Sequence, residues 1–146
     1  LYLFKLFVST SREQAVLLLA LALVSVPIAM FKEVYALEML QLLDTPTEMM
    51  RAWSLHQEGM KIAEIFWGLW LLPIGTLVIQ SGYLPKAFGY ILYATVVGYL
   101  LGFVGHLFWP EVSAMASVAE VLHFGELAFV LWLVFRGIPD SKLKPV

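Results

Sequence analysis

The chain of 146 residues contains no cysteine. That excludes disulfides, thiolate metal sites, iron–sulfur clusters and covalently attached c-type haem. Charge is also scarce: 14% of residues are Asp, Glu, Lys or Arg, against about 25% in an ordinary soluble domain. Nine Lys and Arg face eleven Asp and Glu, a net charge of −2, so no basic footprint exists for a phosphate backbone and nucleic acid is excluded as a partner. Several catalytic signatures are missing as well. No serine sits in a nucleophile elbow, no glycine-rich phosphate loop occurs, and there is no His-Glu-x-x-His zinc helix.

What the chain has is apolar surface. Hydrophobic residues make up 61% and mean hydropathy is +0.85. A soluble globule of this size buries only about 68–70% of the surface its unfolded chain exposes, so it cannot hide this composition from water. The expected class is an all-α polytopic transmembrane bundle embedded in a lipid bilayer. Apolar stretches at residues 15–31, 62–79, 87–108 and 112–135 approach the roughly 20 residues that a spanning helix needs. None alternates as a strand would, and backbone in lipid satisfies itself within helices. The whole chain, 1–146, reads as a single membrane domain. Residues 1–8 form an apolar run too short to span, read as the tail of an earlier helix and hence as a sign that the chain is a piece of a longer protein. An interfacial anchor is the alternative.

Loop charges orient the spans. With the N-terminal side in the cytoplasm, Lys5, Arg12, Lys86, Arg136, Lys142 and Lys144 lie inside, and Lys32, Arg51 and Lys61 lie outside. Six against three satisfies the positive-inside rule and puts the C-terminus in the cytoplasm. Residues 32–60 then form an acidic outer segment, part helical, broken at Leu43-Asp44-Thr45-Pro46-Thr47 with Thr45 or Thr47 as the next N-cap. Ser81-Gly82-Tyr83-Leu84-Pro85 reads as a tight inner hairpin, in which Gly82 takes a left-handed position and Pro85 opens the next helix.

Small residues let helices approach in lipid. Ala94, Gly98 and Gly102 form a ridge on the third span that continues to His106, and the second span offers Gly68 and Gly75, with Glu64 one turn earlier. The fourth span carries Glu120, His123 and Glu126. At 1.5 Å per residue Glu120 lies about 14 Å and Glu126 about 22 Å along that span from Glu111. These ionisable groups are expected to converge in the outer half of the bundle.

An intramembrane acid costs about 2.5–3.5 kcal/mol on insertion scales, so the cluster calls for an explanation. Three are open. In the first the groups are structural: Lys61 pairs with Glu64 or Glu58, and His106 and His123 bond to Glu120 or Glu126. In the second, Glu64, His106, Glu120, His123 and Glu126 line a proton, quinone or small-molecule site. In the third, Glu120 and His123, spaced i, i+3, join His106 and Glu64 around a metal; a full bundle di-metal site would need a second Glu-x-x-His, which is absent. No cofactor is predicted, and haem or chlorophyll ligation by the histidines is the weakest form of the third reading.

Phe66-Trp67-Gly68-Leu69-Trp70-Leu71-Leu72-Pro73-Ile74-Gly75 is followed by Ser81-Gly82-Tyr83-Leu84-Pro85-Lys86-Ala87-Phe88-Gly89, then by Gly98-Tyr99-Leu100, Gly125-Glu126-Leu127 and Trp132-Leu133. This order resembles a bacterial multi-pass membrane family described as domain of unknown function 4386, mainly over residues 55–137. The resemblance implies about six spans, two of them before residue 15, and the bacterial inner membrane. It implies no activity. The combined expectation is a non-enzymatic accessory subunit or ligand-sensing bundle, working alone or in a larger membrane complex. A membrane enzyme or proton or small-molecule carrier is the alternative.

Overall fold

Five helices follow one another in a computed structural model that describes residues 1–109 and 113–138, with 113–116 described by backbone alone. They are α1 (Tyr2–Phe7), α2 (Arg12–Gln41), α3 (Pro46–Ser81), α4 (Lys86–Phe108) and α5 (Ser113–Phe135). No strand occurs among the described residues. The four long helices, α5 counted over Ser117–Phe135, are each long and apolar enough to cross a membrane. The protein is therefore an all-α polytopic helical bundle. Hairpins join α2 to α3 and α3 to α4, and the main packing contacts run in chain order, α2 on α3, α3 on α4, α4 on α5. The result is a row with α3 inside and α2 and α5 at its flanks.

At 1.5 Å per residue, the 30 residues of α2 and 36 of α3 measure about 45 and 54 Å. Hydrocarbon is only about 30 Å thick, so the α2–α3 hairpin stands well clear of it. The segment expected at 32–60 is thus the continuation of two membrane helices, interrupted only by the turn at 42–45. Thr45 is the N-cap residue of α3, but its hydroxyl does not cap; it donates back to the Leu42 carbonyl, 3.2 Å away. Pro46 supplies the pre-set φ of the first turn.

A heptad explains why the two helices stay together beyond the membrane. Ala15, Ala22, Ala29 and Ala36 recur every seven residues, interleaved with Leu18, Ser25 and Lys32. Ala15, Leu18, Ser25 and Lys32 are all buried, as are Ala52 and Ala63 on the facing side of α3. This is the 3–4 spacing of a left-handed coiled-coil seam, lined by small side chains so that the axes draw close. At Gly59 a Cβ would fall 2.7 Å from Lys32 Cβ, which shows how close.

The α3–α4 crossing is tighter still. A Cβ at Gly89 would lie 2.8 Å from the Gly75 carbonyl oxygen, so backbone meets backbone there. Tyr93 bridges the same pair through its hydroxyl, 2.8 Å from Thr76 Oγ. Between α4 and α5, Gly98 lies under Leu122, and Gly102 is in contact distance of Ala119. Buried Thr95 has its Oγ 3.0 Å from the Ile91 carbonyl and 2.9 Å from that of Leu122. Ala94, by contrast, is exposed; the packed ridge of α4 starts from Thr95, one position on.

At the opposite end from the 42–45 turn, Gly82 closes α3 in the left-handed region, with φ 67°. Pro85 is the residue before α4 rather than its first turn. Tyr83 and Leu84 of that hairpin are buried, and Phe7 of α1, fully buried, stacks on Tyr83 with ring centroids 5.9 Å apart. The residue 1–8 segment is thus docked on the bundle rather than left along the surface.

Candidate functional site

The polar groups of the bundle sort into two levels. The upper level lies near the 42–45 turn. Lys32, 6% exposed, has its ammonium paired with its neighbour Glu33. His56 Nδ1 donates to the Lys32 carbonyl across the α2–α3 seam at 3.1 Å. His106, near the end of α4, donates through Nε2 to Glu58 of α3 at 3.0 Å, with both side chains well exposed.

The lower level is the candidate site. Lys61 Nζ donates to both carboxylate oxygens of Glu64, at 3.1 and 3.0 Å, one helical turn along α3. Tyr99 reaches from α4 to α5, where its hydroxyl donates to Glu126 at 3.1 Å. The ring of Tyr99 stacks on His123 with centroids 4.0 Å apart and planes 26° from parallel. Glu64 is within electrostatic range of both Tyr99 and His123. Gly68 makes the arrangement fit: a Cβ there would fall 2.7 Å from Tyr99 Cβ. Tyr99 and Glu126 meet near mid-membrane, since Glu126 is about 20 Å from the start of α5 and about 14 Å from its end.

This geometry corrects the expected pairings. His123 and Glu126 meet on Tyr99, while Glu64 pairs with Lys61. His106 is not among them; it lies two turns beyond Tyr99, too far toward the end of α4, and pairs with Glu58 instead of Glu120 or Glu126. Glu120 is exposed on the face of α5 turned away from α4. His123 bonds to neither Glu120 nor Glu126; its Nε2 is buried without a hydrogen-bond partner. The expected metal set of Glu120, His123, His106 and Glu64 is therefore not assembled: His106 is held two turns away by Glu58, and Glu120 is exposed. Among the described residues no three His, Asp or Glu side chains stand in a metal-binding group.

Two participants escaped the sequence reading. Tyr99 entered that reading only as part of Gly98-Tyr99-Leu100 and was given no role; its one signal was Gly98 beside it on a small-residue ridge. Lys32 looked like a loop cation. Its signal was its place in the alanine heptad, at a seam position.

The profile described as Domain of unknown function (DUF4386) matches residues 1–137. The chain belongs to this family. The match takes in α1 and α2 as well as the 55–137 stretch that carries the motifs. A curated relative from Archaeoglobus fulgidus, named only as an uncharacterized protein, is 34% identical over 83 residues, which is 54% of this chain and 46% of the relative. The aligned part thus spans about half the length of that relative. No solved structure matches the chain.

Proposed function

We infer that this DUF4386 protein is a non-enzymatic integral membrane protein, an accessory subunit or scaffold in which the Glu and His groups lock helices together. The observation that carries this reading is the Tyr99–Glu126 hydrogen bond with His123 stacked on the same ring. Three side chains from two helices use one another's polar and aromatic surface in a place where water is scarce. Lys61 and Glu64 likewise neutralise each other on α3. Buried ionic groups held in pairs define register between helices more than they offer chemistry. The six-to-three distribution of cations supports a cytoplasmic membrane location with the C-terminus inside, as for a bacterial inner-membrane protein.

One observation favours a second reading, a proton or small-ligand carrier: His123 Nε2 is a buried polar atom with no hydrogen-bond partner. Reconstitution separates the two. Proteoliposomes carrying the wild type and Glu126→Gln are compared for dissipation of an imposed pH gradient and for thermal stability. A structural clamp gives equal, background flux in both and a less stable variant. A wild-type flux that the variant abolishes would transfer the assignment to the carrier.

A further inference from the structure

Past the hydrocarbon the α2–α3 hairpin continues as two helices alone, and a cleft opens along one flank of it. The cleft holds about 390 Å³, within the roughly 300–1,000 Å³ of small-molecule sites. Tyr35 and Glu38 line it from α2, and Glu48 and Arg51 from α3, over an apolar floor of Leu55 and the buried Ala52. About 30 Å of hydrocarbon counted from Arg12 ends near residue 32, so Glu38 stands about 9 Å outside it. Lys32 is also the last buried residue of α2.

The charged groups of this cleft do not satisfy one another. Among the described residues the ion pairs are Lys32–Glu33, Lys61–Glu64 and His106–Glu58. Glu48 and Arg51 stand at i, i+3 on α3, the spacing at which Lys61 and Glu64 of the same helix bond, yet they stay apart. Glu38, on the opposite wall, has no cation either. Tyr35 meets Phe31 edge-on through its ring, which leaves its hydroxyl without a hydrogen bond among the described residues. The lining thus carries two acids and one base, net −1. Groups of both signs, set on rigid helices and left unpaired across a cleft, complement a ligand that itself carries both signs.

We propose that this cleft binds a free cationic α-amino acid of the lysine type. The ligand carboxylate lies on the Arg51 guanidinium, whose planar fork offers it two parallel hydrogen bonds, with the Tyr35 hydroxyl as a further donor. The α-ammonium pairs with Glu48, one turn from Arg51, and the side-chain ammonium with Glu38 on the other wall. The methylenes between them lie over Leu55 and Ala52. Charge then balances, a ligand of net +1 in a lining of net −1. A neutral amino acid leaves Glu38 without a partner, and a simple diamine has no carboxylate for Arg51. The cleft shares no residue with the Tyr99–Glu126 clamp, so this inference goes beyond the structural reading and fails or holds separately from it.

Equilibrium dialysis of the full chain in phosphatidylcholine nanodiscs, which contain no primary amine, tests this with L-lysine, L-leucine and cadaverine as probes. L-lysine should bind saturably, and at least about tenfold more tightly than either of the other two. Arg51→Gln should remove the advantage of lysine over cadaverine, and Glu38→Gln its advantage over leucine. Both positions are exposed, so helicity and thermal stability should hold in the variants. Absence of saturable lysine binding, cadaverine bound as tightly as lysine, or lysine binding indifferent to Arg51→Gln would each overturn the proposal. So would binding of phosphatidylethanolamine that depends on Arg51 and Glu38 while lysine fails to bind, since the cleft would then belong to a lipid headgroup.

Discussion

Tyr99→Phe tests the central clamp with the smallest perturbation available. The substitution keeps the ring that stacks on His123 and packs over Gly68, and deletes one hydroxyl. That hydroxyl donates to Glu126 across the α4–α5 interface, and Tyr99 is only 9% exposed. Interhelical hydrogen bonds in membranes average about 0.6 kcal/mol and reach about 1.7. A bond to a carboxylate lies toward the upper end, because a half-buried acid is left behind without its donor. The expected loss is therefore about 1–2 kcal/mol, or roughly a five- to thirtyfold change in the unfolding equilibrium. Glu126→Gln keeps an acceptor for the same hydroxyl and should cost less, about 0.5–1 kcal/mol. The double variant should be less destabilised than the sum of the two singles, by about 0.5–1 kcal/mol, since Glu126→Gln only weakens a contact that Tyr99→Phe removes outright. Reversible unfolding in mixed detergent micelles, followed by circular dichroism, measures all four corners of the cycle. Strictly additive losses would show that the two groups do not interact, and the clamp with its functional reading would fall.

Other outcomes follow from the packing. Gly89→Ala drives a methyl into Ile79 Cγ1 and to 2.8 Å from the Gly75 carbonyl, so α3 and α4 must part; a loss of about 1–3 kcal/mol in the same unfolding assay is expected. Phe7→Ala empties a fully buried site against Tyr83 and should cost about 3–5 kcal/mol, with earlier proteolysis of α1 as a second readout. His106→Ala removes a pair whose side chains are 37% and 56% exposed, and should change stability by less than about 0.5 kcal/mol, a difference that added salt erases. A large effect there would mean that the upper level carries more of the fold than its exposure suggests.

Solvent class was legible without coordinates. Hydropathy and chain length demand lipid, and lipid demands helices, so the all-α bundle follows from composition and the length of four apolar runs. The hairpin at Gly82 was legible for a local reason: a left-handed turn between two apolar runs has few residues able to make it. The acids of the site were visible as well, because charge in an apolar run is conspicuous. Their partners were not. Which face of α5 meets α4 depends on where Gly98, Thr95 and Gly125 let the helices touch, and that is a property of two sequences at once. A crossing at those points turns Glu126 inward to Tyr99 and Glu120 outward, although the two acids lie only six residues apart. The same reasoning applies to Lys32. Its charge reads as loop, and only the continuation of the α2–α3 seam past the membrane buries it. Sequence alone determined that this chain is a set of helices in lipid, because solvent acts on each segment separately. The grouping of its polar residues was decided by tertiary structure, because contact between helices is set by the fit of facing surfaces.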